Sequence, residues 1–142
     1  MDLAILSNLR TSVRNALAVQ YPETEIYTAE ITSLIQDDDS NVGEFITVFF
    51  SDADETQVDE LLDDEHYNTS STLTVGYFHE RAATDQGWLD AEAGTIRRAV
   101  MAFDGVFNGT KGDIDRAGWQ YVPATEGATP GIYFRFSVSY SD

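Results

Sequence analysis

The chain has no cysteine and only one lysine, Lys111, among its 142 residues. Without cysteine it can form neither a disulfide nor a thiolate metal site. Its apolar runs are much shorter than the ~20 residues that a membrane-spanning helix needs, so no membrane association is expected. No basic region precedes the first apolar residues, as a secretion signal would require. The expectation is a soluble protein that stays inside the cell that makes it.

Positive charge in general is scarce, because 25 Asp and Glu residues face 8 Lys and Arg residues, for a formal net charge of −17. Between Arg14 and Arg81 there are sixteen acids and no base. Proteins that bind nucleic acid through its phosphates use clustered Lys and Arg, so such binding is not expected. Two interpretations of the acidity stay open: an ordinary solvated surface, and adaptation to high salt, where the Debye length falls to ~3 Å at 1 M.

Motifs for catalysis and for metal binding are also missing. The only histidines are His66 and His79, and there is no nucleophile elbow, phosphate loop or dinucleotide fingerprint. The acidic stretches that begin at Asp37 and Asp113 fail the calcium-loop pattern, because neither has an acid at its twelfth position, which is Val48 or Ala124. We expect a protein that is not an enzyme and has no cofactor, although Mg²⁺ or Ca²⁺ could bind its acids diffusely.

What the chain does have is a set of clear strand patterns. In Ser71–Arg81, the apolar residues at 73, 75 and 77 alternate with small or polar ones, which predicts a long central strand. Glu44–Ser51 is almost continuously apolar and predicts a strand buried on both faces. Ile132–Tyr140 alternates cleanly between apolar and polar residues. Weaker strand patterns lie within 25–36 and at Trp119–Val122.

Two segments have helical periodicity. Residues 2–20 carry apolar side chains at positions 6, 9, 13 and 17, one face of a helix. Trp88–Phe107 carries a longer apolar stripe, with Thr84 or Asp85 as its N-cap. Asn108-Gly109 and Lys111-Gly112 are turn signals. The fold class predicted for residues 1–142 is a single α+β domain: a mixed, mostly antiparallel sheet of four to five strands, with two main helices packed on it.

The segment 52–70 is predicted to be a long acidic connector loop between two strands, with a short helix possible inside it. Loops of this length in compact domains often carry function. We therefore assign this segment as a contact with a neighbouring subunit or with a partner in a larger assembly. The candidate contact residues are Asp52, Asp54, Glu55, Asp59, Glu60, Leu61, Leu62, Asp63, Asp64, Glu65 and Tyr67. The candidate donors of salt bridges between subunits are Arg10, Arg14, Arg97 and Arg98.

The order of these parts resembles the tail terminator family of long-tailed viruses, of the minor tail protein U type found in lambda-like phages. The resemblance spans nearly the whole chain and rests on order and pattern. It is carried by the first helix, FITVFFSD, the connector, TLTVGYFHE, TDQGWLDAEAGTIRRAVMAF, GWQYV and IYFRFSVSYSD. The chain departs from the family in being more acidic and in having a longer insert at Phe107–Asp115, where the second helix joins the next strand.

The resemblance implies a structural virion protein made in the host cytoplasm. It would form a homohexameric ring that caps the head-proximal end of the tail tube, ends tube polymerisation and meets the neck proteins of the head. DNA would pass through the ring without specific binding, and high salt or divalent cations would aid assembly. The acidity suggests a halophilic host. Another head–tail connector or tail-completion protein, and an acidic cation-responsive binding module, remain as alternatives.

Overall fold

The computed structural model describes residues 3–29, 43–57, 67–107, 109–125 and 129–141. The first helix, α1, spans Leu3–Gln20. Its apolar positions Leu6, Leu9, Val13 and Leu17 are buried, as their spacing predicts. The helix ends at Gln20, because Tyr21 precedes Pro22 and the residue ahead of a proline avoids the helical region.

The second helix, α2, spans Gln86–Met101, and the Asp85 carboxylate caps it by accepting a hydrogen bond from the Trp88 amide at 2.9 Å. The cap and the buried stripe of Leu89, Ala93, Ile96 and Val100 are as predicted. The predicted end at Phe107 is wrong. The helix stops six residues earlier, and Gly105, at φ 103°, begins a strand instead. Phe107 is buried as predicted, but it belongs to that strand and not to the helix.

Six strands form one sheet in the order β1-β2-β3-β6-β5-β4. Their bounds are Glu25–Tyr27 (β1), Glu44–Gln57 (β2), Tyr67–His79 (β3), Gly105–Phe107 (β4), Thr110–Val122 (β5) and Gly131–Ser141 (β6). Among the described strands, only the β1–β2 pair is parallel. The α+β class, the mixed sheet and the two helices are confirmed, and the strand count is one above the predicted upper value.

Both helices pack on one face of the sheet. α1 contacts β2 and α2, and α2 contacts β6. The strand residues that share a row through the ladder, such as Val48, Val75 and Phe134, are all buried in the same core as the helices. The alternation predicted for β6 therefore places its apolar side chains under α2, and its polar ones on the opposite face.

The predicted connector loop at 52–70 is wrong in its bounds. β2 continues to Gln57 and β3 begins at Tyr67, so Asp54 pairs with Ser70 and Glu55 with Thr69 in an antiparallel ladder. A register shift between Phe50 and Ala53 separates this outer part from the core part of the pair. We call 51–57 and 67–71 the acidic arm. Its residues lack apolar alternation, yet they form strands because β3 pairs with β6 along the same length.

The predicted turn at Lys111-Gly112 is also wrong, because both residues lie in β5. The reversal sits at Gly109, which has φ 74° and follows Asn108, as the other turn signal predicts. The segment 107–115, which departs from the family pattern, thus forms most of a β4–β5 hairpin. β5 is longer than the predicted Trp119–Val122, because it begins at Thr110. It contains a bulge between Arg116 and Gly118.

Candidate subunit interface

The acidic arm projects its described carboxylates into solvent. Asp52, Asp54 and Glu55 are all exposed, and the Ser71 hydroxyl donates to the carbonyl oxygen of Asp52 at the register shift. Seven of the predicted contact residues lie outside the described residues, as does the short helix considered within 58–66. They are Asp59, Glu60, Leu61, Leu62, Asp63, Asp64 and Glu65. Tyr67 starts β3. The structure therefore presents the base of the predicted contact segment as a negatively charged pair of antiparallel strands.

The four arginines predicted to bridge subunits have no carboxylate partner in the part of the chain that the structure describes. Arg14 donates to the Asn15 side chain at 3.3 Å, and Arg98 donates to the Thr95 hydroxyl at 3.4 Å. Arg97 lies over the Phe134 ring with its Cζ 5.0 Å from the ring centroid. Within the same residues, Arg81 is the only one of the eight Lys and Arg side chains in an ion pair, with Asp85 at 3.2 Å.

This lack of pairing is unusual for so acidic a chain, in which a base would find an acid easily. α1 holds Arg10 and Arg14 and no Asp or Glu. Arg10 lines a groove of about 310 Å³ between α1 and β2, which Asp52 also lines, yet the two make no ion pair. The helix layer therefore keeps cationic groups available, while the arm keeps anionic groups available. The four arginines lie on both helices, not in one cluster.

The face of the sheet opposite the helices is polar over most of its area, and no described helix covers it. One row across four strands reads Asp54, Ser70, Ser139 and Asp113, and the next holds Thr72, Ser137 and Asp115. Arg135 on this face donates to the Gln120 side chain at 3.1 Å. Sequence reasoning identified the polar positions of β6 but not these rows, because Asp113 and Asp115 were not assigned to a strand.

One end of this face carries a small aromatic cluster. The Phe45 and Phe78 rings stack at 4.5 Å, and the Tyr133 ring meets Phe78 edge-on at 5.1 Å. Gly76 lies beneath them, since a Cβ there would come within 2.9 Å of Tyr133 and closer still to Phe78. The rings fill the place of a side chain at 76, which explains why the central strand has a glycine at its middle.

On the helix face, one hydrogen bond joins β3 to β2 and another joins the end of α1 to α2, and the Tyr21 and Tyr77 rings that donate them are in contact at 5.3 Å. The Tyr77 hydroxyl donates to Glu44 and the Tyr21 hydroxyl to Glu92, both at 2.5 Å. Burial, followed by these carboxylates, raises the pKa of each tyrosine well above its usual value. The hydroxyls thus stay protonated donors. His79 Nε2 lies 3.8 Å from the Glu44 carboxylate, and His79 Nδ1 accepts from the Arg81 amide at 2.9 Å.

This arrangement holds side chains in place and offers no group aimed at a substrate. Each glutamate accepts from a tyrosine, and the imidazole ring packs against Trp88 at 4.6 Å. In the described ranges, no three of the His, Asp and Glu side chains converge in a way that could hold a metal ion. Nor does any described helix have the length and apolarity to cross a membrane.

A solved chain from a virion has this fold. It belongs to the virion of a native gene transfer agent particle, and the match covers 99% of this chain and 100% of that one, with a TM-score of 0.65 and 11% sequence identity. At this identity the match establishes the shared fold. No family model and no curated protein matches the sequence.

Proposed function

We propose that this chain is a structural protein of a tailed virus, which forms a homohexameric ring at the head-proximal end of the tail tube. The observation that carries the proposal is the fold match over the full length of both chains, to a component of a gene transfer agent virion. The match agrees with the order of parts that resembles the tail terminator family. In this role the protein is not an enzyme, and its location is the head–tail junction.

The distribution of charge supports assembly from identical copies. The helix layer offers Arg10, Arg14, Arg97 and Arg98 without carboxylate partners in the described residues, and the arm offers exposed acids. A surface patch that complements a different patch of the same molecule gives a head-to-tail contact, and such contacts form a ring when the rotation between copies closes. The contact would join the arm of one copy to the helix layer of the next.

The strand edges support the same conclusion. Among the described residues, β1 pairs with β2 only at 45–47, and β4 pairs with β5 only at 110–112. Within those residues, the rest of each outer edge has no strand partner for its backbone donors and acceptors. Monomeric proteins usually protect such edges. In a ring, neighbouring copies and the adjoining tube and neck proteins would cover them.

The polar face suits a channel through which DNA moves. Its rows hold hydroxyls and carboxylates, of which Asp113 and Asp115 would repel phosphates, and the Arg135 guanidinium on this face is bonded to Gln120. If this face lines the ring, DNA passes without specific binding. High salt, or diffuse Mg²⁺ or Ca²⁺, would reduce the repulsion between subunits that carry −17 each.

Light scattering after size exclusion tests the ring, in dilute buffer and in molar salt with magnesium. We expect a species of six copies of the 15.8 kDa chain that is favoured by salt. Electron microscopy of tubes polymerised with and without the protein then tests capping, and we expect shorter tubes closed by a ring at one end. A six-copy ring that binds the portal side and leaves tube length unchanged would indicate another head–tail connector. A monomer under all conditions would indicate a binding module.

A further inference from the structure

A groove of about 250 Å³ lies on the helix side of the sheet, between α2 and β5. Its floor is the buried ring of Phe134, its helix wall includes Gly94, and its strand wall is made by Trp119 and Tyr121. Arg97 lies at its rim, over the Phe134 ring. An aromatic groove of this size, with a cationic rim, is not needed by the fold itself and is open to a partner.

Gly94 is the first sign that the groove is kept open. A glycine inside a helix costs about 1 kcal/mol relative to alanine. Here a Cβ would meet only the Arg98 guanidinium, at 3.4 Å, so no contact within the described residues requires the glycine. The absence of a side chain at 94 leaves space beside Trp119 that an outside group can enter.

Trp119 is the second sign. It is 48% exposed, although it faces the helix side of the sheet in the row of Phe134 and Val75. The bulge at Gly118, with φ 117°, orients it, and the Tyr121 ring holds it edge-on at 4.7 Å. The Tyr121 hydroxyl in turn donates to Asp90 at 2.5 Å. An exposed tryptophan beside a half-buried tyrosine and an arginine is typical of the centre of a protein–protein interface.

Taking the ring of the proposed function as given, we propose that the groove receives residues 58–66 of a neighbouring copy of this chain. The sequence VDELLDDEH combines three apolar side chains, Val58, Leu61 and Leu62, with five acids. The leucines match the aromatic walls in chemistry. The acids match Arg97, which has no carboxylate partner among the described residues, and the neighbouring Arg98.

The same copy cannot supply this segment. Trp119 shares a row with Val75, which is eight residues along β3 from Tyr67, a distance of about 26 Å. Residues 58–66 leave from Gln57 and return at Tyr67, so their midpoint extends at most about 18 Å beyond those strand ends. The contact must therefore join two molecules. Because groove and segment are different surfaces, it is the head-to-tail kind that a ring requires.

Disulfide trapping tests the contact directly, since the natural chain has no cysteine. A Leu61→Cys chain is mixed with a Gly94→Cys chain under mild oxidation in molar salt with magnesium. The matched control replaces Gly94→Cys by Ala91→Cys, which lies on the exposed side of the same helix. Disulfide formation needs Cα atoms within about 7 Å, so we expect at least roughly five times more mixed dimer with the cysteine at 94 than with that at 91.

A Gly94→Gln variant gives a second measurement in which folding is not at risk, because the substitution favours the helix. We expect its thermal midpoint to be unchanged or higher and its six-copy species to be lost, whereas Ala91→Gln assembles normally. A six-copy ring that forms without preferential trapping at 94, and survives Gly94→Gln, overturns the groove contact and leaves the ring standing. Trapping at 94 in dimers or open chains, without a six-copy species, supports the contact and overturns the ring. If neither trapping at 94 nor a six-copy species is observed, both the groove contact and the ring are overturned.

Discussion

Gly131 begins β6 against the backbone of β3, where no larger residue fits. A Cβ at this position would lie 2.1 Å from the Tyr77 carbonyl oxygen and 2.8 Å from the Phe78 Cα. Since backbone atoms cannot rotate away, we expect Gly131→Ala to lower the free energy of unfolding by about 3 kcal/mol. Urea denaturation measures it. Gly43→Ala is the control, because no atom lies within 4 Å of that position. Equal stability of the two variants would contradict the packing described here.

Tyr77 is a residue whose proton stabilises the fold. Tyr77 is buried and its hydroxyl donates to Glu44, and burial and that carboxylate raise its pKa above the value near 10 of an unfolded chain. A raised folded pKa means that the stabilisation is complete below pH 10. It is lost as the pH rises above 10, because the unfolded chain then ionises first.

We expect Tyr77→Phe to lower the free energy of unfolding at pH 8 by about 2 kcal/mol, since Glu44 loses a donor. We also expect its decline between pH 9.5 and 11 to be shallower than that of the natural chain. Guanidinium titrations across this range measure both effects. Tyr133→Phe is a comparison outside the Glu44 cluster, on the opposite face of the sheet. A decline as steep as that of the natural chain would show that Tyr77 is not the group responsible.

At the scale of the helices and strands, periodic burial could be read from the sequence and acidic pairing could not. α1, α2 and β6 each bury a regularly spaced set of apolar side chains, so the spacing of these residues in the sequence predicts the elements. The arm does not, because Asp54 and Glu55 pair with Ser70 and Thr69 and remain exposed. Its strand structure depends on neighbours distant in sequence, above all β6. The predicted end of α2 was wrong because Phe107, which lies in β4, happens to fall at the helical spacing of the apolar residues in α2.

The candidate interface was likewise only partly accessible. The sequence identified which residues carry charge, but not that Arg10 and Arg14 have no carboxylate partner among the described residues, or that Asp113 shares a row with Asp54. Those facts require the register of four strands. Trp119 was assigned to a strand, yet its exposure arises from the bulge at Gly118, which no alternation rule indicates.

The two arginines of α1 give a prediction at this scale. We expect Arg10→Gln with Arg14→Gln to change the free energy of unfolding by less than about 0.5 kcal/mol, because neither side chain pairs with a described carboxylate. We expect the same double variant to raise the subunit concentration needed for six-copy assembly at least roughly tenfold. Each lost pair between copies costs up to about 1 kcal/mol, and the loss recurs at every interface.

Arg81→Gln is the matched control for that experiment. Arg81 is paired with Asp85 and lies over Trp88 at 4.9 Å, so its replacement affects the monomer and leaves assembly unchanged. Light scattering over a dilution series gives the assembly constants, and urea denaturation gives the stabilities. If the α1 variant assembled as well as the natural chain, Arg10 and Arg14 would be solvent-facing groups and not subunit contacts.

At the scale of the whole molecule, the dominant quantity is a net charge of −17, which becomes −102 in a ring of six copies. Self-repulsion opposes both folding and assembly, but the two respond to salt over different ranges. Within one chain, exposed acids such as Asp54 and Asp113 lie three strand spacings apart in the same row. Neighbouring strands are about 4.8 Å apart, so this separation of about 14 Å exceeds the Debye length of ~10 Å at 0.1 M salt.

Repulsion between carboxylates that far apart is therefore already screened in ordinary buffer, and only closer pairs gain from more salt. We expect the thermal midpoint to rise by roughly 5–10 °C between 0.1 and 1 M sodium chloride, and by a similar amount in sodium acetate of equal ionic strength, because screening depends on ion charge and not on ion type. Asp113→Asn with Asp115→Asn, which lie two residues apart on one strand face, should reduce this rise. A midpoint that is constant with salt, or that rises in only one of the two salts, would mean that screening does not limit stability, and would favour the ordinary acidic surface over adaptation to high salt.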